Sequence, residues 1–337
     1  MLVIPVFIPH SGCPHRCAFC NQTYITSQRI SLPSPSDIEQ TVTEFLQYKG
    51  TRKEVQLAFF GGNFLGLDPS DVKTYLQFAL ELERKNMIDS VRFSTRPDTI
   101  LPETLDLLAE SPVSTIEIGA QSMNDPVLEV ARRGHSAQDT EQAAKMIKQR
   151  GFALGIQIMT GLPDDTEPGS IRTSKEIIRL SPDFVRIYPL ILLKGSRIAA
   201  WYKAGTYTPP SLAESVRLVK TLYTLFTGHN IPVIRMGLQA SDMFDDPDLA
   251  IAGPWHPAFG HLVFSQLMYD KAKGAIRSHL KHYPEETRVT LQVHPASESR
   301  LRGNKNQNIK QLKDRFPELE IDIQKQGEVR KDAVVIR

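Results

Sequence analysis

Six short runs rich in β-branched and aromatic residues recur through the first two thirds of this chain, and a longer amphipathic stretch follows each. The runs are LVIPVFI (2–8), EVQLAFF (54–60), SVRFST (90–95), STIEIGA (114–120), ALGIQIMT (153–160) and DFVRIYP (183–189). The stretches, residues 36–49, 70–84, 102–109, 138–149, 169–180 and 211–226, carry apolar residues at helical spacing. In the first, Ser36-Asp37 supplies a capping pattern, and Ile38, Val42, Phe45 and Leu46 share a face. Strand then helix, six times over, dictates a mostly parallel sheet with helices outside. Right-handed crossovers wind such a sheet into a closed or partial barrel. Barrels of this kind place their chemistry at the C-terminal ends of the strands.

The last third departs from that rhythm. After GPWHPAFGH (253–261) come a helix-like stretch near 262–282, the strand-like RVTLQV (288–293), a basic turn with a short helix at 300–316, and LEIDIQ (319–324). The reading is an α/β barrel core over residues 1–240 and an α+β extension over 241–337, packed on it without a flexible linker.

Composition narrows the class. A hydrophobic fraction of 41% and a charged fraction of 23% are ordinary for a globular protein that needs no disulfides. No apolar run approaches the ~18–20 residues of a membrane span. The opening MLVIPVFIP lacks a basic leader and is broken by prolines, so it reads as a first strand, and the expected location is the cytosol. There the NQT sequon at Asn21 carries no meaning. The net charge of +2 hides an asymmetry: residues 1–270 hold 25 basic against 29 acidic side chains, residues 271–337 hold 15 against 9. The basic excess belongs to the extension. It suits either contact with a polyanion or a solvated surface of mixed charge.

All three cysteines, Cys13, Cys17 and Cys20, fall within eight consecutive positions. An odd number at this spacing makes a poor disulfide framework and a good metal site. Soft thiolates select an iron–sulfur cluster or zinc. With three ligands, a 4Fe–4S cluster keeps one iron open to an exogenous group, whereas a closed zinc site needs a fourth donor such as His10 or His15. Pro9 ends the first strand, so the loop projects from the C-terminal face of the barrel. Phe19, just before the third cysteine, is placed either to stack on a flat ligand or to pack beneath the loop.

GCPHRCAFCNQ (12–22) resembles the cysteine signature of the radical S-adenosylmethionine enzymes, and the likeness extends over residues 3–240. It implies a partial (βα)6 TIM-like barrel and one 4Fe–4S cluster on Cys13, Cys17 and Cys20. It also implies S-adenosylmethionine chelated at the open iron and cleaved reductively to a 5′-deoxyadenosyl radical that abstracts hydrogen from substrate. Further motifs follow in the family's order. FFGGN (59–63) resembles the glycine pair that approaches the methionine amine, with Gly61, Gly62 and Asn63. STRPD (94–98) brings Ser94 or Arg96 to the amino-acid end of the cofactor, and EIGAQS (117–122) brings Gln121. In ARRGH, Arg132 or Arg133 is suited to the methionine carboxylate. QIMTGLP (157–163) brings Gln157 toward the ribose hydroxyls, where porphyrinogen-type relatives often carry a carboxylate.

CAFCNQ, STRPD, RRGH and IQIMTGLP are most similar to the radical domain of the Elongator catalytic subunit, which modifies wobble uridine in tRNA, and RIYPLILLKGSRIAAWYKAGTYTP (186–209) continues that likeness. About 100 residues follow the barrel, too few for that subunit's acetyltransferase domain, and no acetyl-CoA fingerprint is present. Three cysteines leave no ligands for a second cluster. The resemblance implies an external one-electron donor of flavodoxin or ferredoxin type, since the chain shows no motif for either. For substrate, SRLRGNKNQNIKQLKDR (299–315) offers Arg300, Arg302, Lys305, Lys310 and Lys313 to RNA phosphates. The expected function is therefore radical chemistry on RNA, with tRNA as the candidate substrate. The alternatives are radical chemistry on a small molecule such as a porphyrinogen, or a zinc-stabilised nucleic-acid-binding protein without catalysis. Trp255, His256 and His261 are candidates for a substrate mouth, and Tyr188 and Lys194 for the pocket; no general acid or base stands out.

Overall fold

The computed structural model describes residues 1–8, 13, 16–20, 31–48, 53–238 and 249–337. Pro9, His10, His15 and Asn21 lie outside the described residues.

Seven parallel strands form one sheet: β1 (Leu2–Ile8), β2 (Val55–Gly61), β3 (Ser90–Thr95), β4 (Val113–Gln121), β5 (Ala153–Thr160), β6 (Phe184–Pro189) and β8 (Val233–Met236). They lie in sequence order and curl into a half-barrel, so every neighbour is reached by a crossover. The repeat therefore runs one strand beyond the six expected. β7 (Leu192–Leu193) and β9 (Ala250–Ala252) pair antiparallel in a small separate sheet.

The crossovers carry α1 (Pro35–Leu46), α2 (Pro69–Arg84), α3 (Pro102–Asp106), α4 (Asp125–Val130), α5 (Ala137–Gln149), α6 (Glu167–Arg179), α7 (Arg197–Lys203) and α8 (Leu212–Gly228). Their starts are fixed by side-chain caps. Ser34 with Asp37, Ser136 with Asp139, and Ser211 with Glu214 each form a reciprocal capping box that satisfies otherwise orphaned N–H groups. The first helix thus begins one residue before the expected Ser36. Against the sheet these helices bury Ile38, Val42, Leu76, Ala79, Leu82, Ala143, Ile147, Ile177, Val219 and Phe226.

α9 (Phe259–His282) links two cores. Phe259 and Val263 belong to the barrel core, while Met268, Ala272 and Ile276 belong to a second one. That second core is closed by β10 (Arg288–Val293), β11 (Glu320–Lys325) and β12 (Val334–Ile336) in the order β11-β10-β12, with α10 (Glu298–Arg302) and α11 (Gln307–Arg315) beside α9. No helix among the described residues is long and apolar enough to cross a membrane.

Candidate active site

The cysteine loop emerges from the C-terminal end of β1 and is pinned from two sides. The Ala18 N–H donates to the Ala131 carbonyl at 2.9 Å, and the Ala18 carbonyl accepts from the Ile198 N–H at 3.0 Å. Cys17 is buried, Cys13 and Cys20 are half-buried, and none is in a disulfide. Burial, and next the neighbouring Cys17, push the Cys13 thiol up, while Arg96 and Arg133 pull it back.

Two buried arginines converge on the middle cysteine. Arg133 Nη1 donates to Cys17 Sγ at 3.1 Å, and its Nη2 donates to the Gly119 carbonyl at 2.6 Å. Arg96 Nη1 stands 4.0 Å from the same sulfur. Asp98 holds the Arg96 fork with two bonds of 2.9 Å, and Arg96 Nη2 also donates to the Arg133 carbonyl. The sequence offered Arg132 or Arg133. Arg132 takes a left-handed backbone and is exposed, while Arg133 turns inward.

The amides lie on the adjacent strand ends. Gln157 Nε2 donates to Gln121 Oε1 at 3.3 Å. A register shift between Gly119 and Gln121, with Gln121 at φ +68°, re-aims that side chain from the regular alternation of β4. Asn63 is wholly buried, and its Oδ1 accepts from Thr95 Oγ1 at 2.7 Å, Thr99 Oγ1 at 3.0 Å and the Arg96 N–H at 3.0 Å. It therefore ties the ends of β2 and β3 together. Ser94 is half-buried on the inner face of β3.

Gly61 has φ +106°, and a Cβ there would sit 2.3 Å from the Phe7 ring. Its missing side chain seats that ring, while the Gly62 N–H donates to the Ile8 carbonyl at 2.8 Å. Phe7 itself is 43% exposed, on the inner side of β1 just before the cysteines. The sequence hid it, because within LVIPVFI it reads as one more core residue. His135, also overlooked, is buried with Nε2 3.2 Å from the Ala120 carbonyl. Burial, then Arg133 and Arg96, bring its pKa down to about 4, so it is neutral at physiological pH.

Deeper in the lumen lies an ionic layer that no motif announced. Glu117 of β4 pairs with Arg92 Nε at 3.2 Å and with Arg186 Nε at 2.8 Å, and Arg186 Nη2 donates to its Oε1 at 3.1 Å. The Arg92 guanidinium lies 5.0 Å from the Phe184 ring, and that of Arg186 5.0 Å from Phe60. Gly155 makes this meeting possible, since a Cβ there would strike the Phe184 ring at 2.5 Å and Glu117 Cγ at 2.9 Å. Burial pushes the Glu117 carboxyl up, opposed by Arg186, Arg92 and Arg235.

Other candidates lie apart from this constellation. Phe19 packs against Val127, Leu162, Leu190 and Ile198 beneath the loop. Trp255 joins Ile191, Leu193 and Leu249, and His256 Nδ1 accepts the Ala258 N–H at 3.0 Å. The cavity beside them, about 10 Å³, has room for one water. His261 is half-buried on α9 and Lys194 is exposed. In the extension, Arg302 pairs with Glu298 at 2.9 Å and Arg300 lies 4.3 Å from the Phe264 ring. Lys305, Lys310 and Lys313 are exposed.

Among the described residues no three metal-ligating side chains are gathered about one point. The donor chemistry nevertheless fits an iron–sulfur cluster: three soft thiols on one short loop, outside any disulfide, with guanidinium groups turned toward the middle one.

Comparison with known proteins agrees with this arrangement. The Radical SAM superfamily matches residues 7–169, and the Radical_SAM C-terminal domain matches residues 182–269. An uncharacterized protein of Methanocaldococcus jannaschii is 28% identical over 220 residues, covering 62% of this chain and 67% of that protein. The tRNA uridine(34) acetyltransferase of Dehalococcoides mccartyi is 23% identical over 230 residues, 58% of this chain and 50% of that enzyme. The chain thus spans about half the length of the acetyltransferases it matches. In fold it is similar to the archaeal Methanocaldococcus infernus Elp3 with an N-terminal deletion, at a TM-score of 0.63 and 19% identity, covering 81% of this chain and 63% of that one. With its cysteine loop, its rim of arginines and amides and its curled parallel sheet, this chain belongs to the radical S-adenosylmethionine superfamily and is an enzyme of that class.

Proposed function

We propose that this enzyme abstracts hydrogen from a nucleotide of RNA, with tRNA as the substrate class. The observation that carries the reading is the convergence on one end of the sheet of the cysteine loop, Arg133 and the Gln121–Gln157 pair. Cys13, Cys17 and Cys20 would hold a 4Fe–4S cluster, which when bound and reduced supplies the electron that cleaves S-adenosylmethionine to methionine and the 5′-deoxyadenosyl radical. The chain's own residues bind and orient. Arg133 offers a fork suited to the methionine carboxylate. Gly61, Gly62 and Ser94 border the place of the methionine amine, and Gln121 with Gln157 offers amides to the ribose. Asn63 and Arg96 hold this rim in shape through Thr95, Thr99 and Asp98. Phe19 closes the loop's underside. The electron comes from an external donor of flavodoxin or ferredoxin type, and the cytosol, where tRNA is found, is the place of action.

Two observations support RNA over a small molecule. Curated relatives are tRNA uridine(34) acetyltransferases, although half of each lies beyond the match and acetyl transfer is not carried over. The extension presents exposed Lys305, Lys310 and Lys313, which enter no ion pair among the described residues. Incubating the reconstituted enzyme with tRNA should raise 5′-deoxyadenosine release about tenfold or more over the RNA-free background. Reversing the three lysines to glutamate should weaken tRNA binding and flatten its salt dependence by about three phosphate contacts. Deoxyadenosine release indifferent to tRNA, with no nucleoside altered in mass, would sink the proposal.

A further inference from the structure

The turn that ends α4 grips the middle cysteine twice. Arg132 (φ +55°) and Gly134 (φ +69°) take left-handed backbone, and between them the Arg133 side chain turns inward and is buried. The Ala131 carbonyl of the same turn accepts the Ala18 N–H, one residue past Cys17. One short turn therefore holds the cysteine loop by its backbone and, through Arg133, by its sulfur. The guanidinium is locked in its turn. Its Nη2 donates to the Gly119 carbonyl of β4, and the Arg133 carbonyl accepts from Arg96 Nη2.

The two arginines beside Cys17 differ in charge balance. Arg96 Nη1 stands 4.0 Å from the sulfur, but Asp98 forks the same guanidinium through Nε and Nη2, so the pair is nearly neutral toward Cys17. Arg133 enters no ion pair with a carboxylate among the described residues, and its Nη1 reaches the sulfur at 3.1 Å. A positive charge without a carboxylate of its own thus lies against one thiol in a buried setting, where charges are felt more strongly than in water.

We propose that Arg133, by donating a charged hydrogen bond to Cys17 Sγ, raises the reduction potential of the iron–sulfur cluster; the inference rests on the cluster reading above. Reduction adds one electron and moves no proton, and the external donor is oxidised by the same electron. The added negative charge reaches the ligand sulfurs, where a cationic N–H donor favours the reduced form. Arg133 is in this sense a positioning residue: it acts through Cys17 and makes the cluster easier for the donor to reduce.

The test is an anaerobic redox titration of the reconstituted full chain, followed by the electron paramagnetic resonance of the reduced cluster. S-adenosylmethionine is left out, so that any service of Arg133 to its carboxylate does not enter, and iron is counted in every variant. Arg133→Gln should lower the reduced-to-oxidised ratio at a fixed potential about tenfold, a downward shift of about 59 mV for one electron. Arg133→Lys, which keeps the charge without the fork, should fall between that variant and the unaltered chain. Asp98→Asn should shift the potential upward, because Arg96 then keeps its charge near the sulfur without the carboxylate. A scaffold role alone would cost iron in these variants and leave the potential of the loaded fraction where it was. An unshifted potential in loaded Arg133→Gln, or a potential that does not rise in Asp98→Asn, overturns the proposal. Should Arg133→Gln take up no iron, the sign of the Asp98→Asn shift decides. An unaltered chain that takes up no iron ends the cluster reading and the tuning together; a loaded chain with unmoved potentials ends the tuning alone.

Discussion

The two faces of the seven-stranded sheet are made of alternate residues of the same strands, yet they share almost no physical character. Outward, Val91, Phe93, Ile116, Ile118, Ile156, Ile158, Val185 and Ile187 are buried under helices. Inward, their neighbours are Arg92, Ser94, Glu117, Gly155, Gln157 and Arg186. The outer face removes apolar area from water, which drives folding. The inner face spends that stability, because burying Glu117 and its arginines costs desolvation that ion pairing only roughly recovers. A half-barrel can afford this arrangement since its inside is not needed as a core. One face holds the shape and the other is left for chemistry.

That division can be broken by experiment, most forcefully at Phe93. Phe93 stacks on Phe64 with ring centroids 4.7 Å apart and is wholly buried. Phe93→Ala should cost about 3–5 kcal/mol in urea unfolding, while the affinity of the folded fraction for S-adenosylmethionine changes by less than about twofold. Collapse of affinity in step with stability would show that the faces do not act separately.

A smaller effect tests the rim where the faces meet. His135 is neutral in the folded state, with a pKa of about 4 against an ordinary value near 6.5 once unfolded. Between those values the unfolded chain binds the extra proton, so stability falls as pH drops from about 6.5 toward 4, by about 3 kcal/mol in all. Above pH 7 this group contributes no slope. His135→Asn should flatten the decline measured by urea unfolding across that window; an unchanged slope would place the acid sensitivity elsewhere.

The outer face was the legible one. Apolar periodicity marked β1, β3 and β5 at their observed bounds and β2, β4 and β6 to within a residue at either end, because burial against helices leaves a pattern in consecutive residues. β8 escaped, being four residues long, preceded by Pro232 and exposed at Ile234. β12 and the β7–β9 pair are too short to register as periodic. At the site, the cysteines, Gln121, Arg133 and Gln157 could be named, since each falls in a short motif that resembles one of the family. The Glu117–Arg186 pair could not: its members are 69 residues apart and meet only through register across three strands. Phe7 and His135 were hidden for the same reason, as exposure and depth belong to the curled sheet rather than to any window of sequence.

The account turns on the three thiols, and the most direct measurement is anaerobic reconstitution. Iron and zinc are counted, and 5′-deoxyadenosine is assayed after dithionite and S-adenosylmethionine are added. The account predicts about four irons per chain and deoxyadenosine formation, both lost in Cys17→Ala while the fold persists by circular dichroism. A chain that takes up zinc instead of iron and leaves S-adenosylmethionine intact would contradict it.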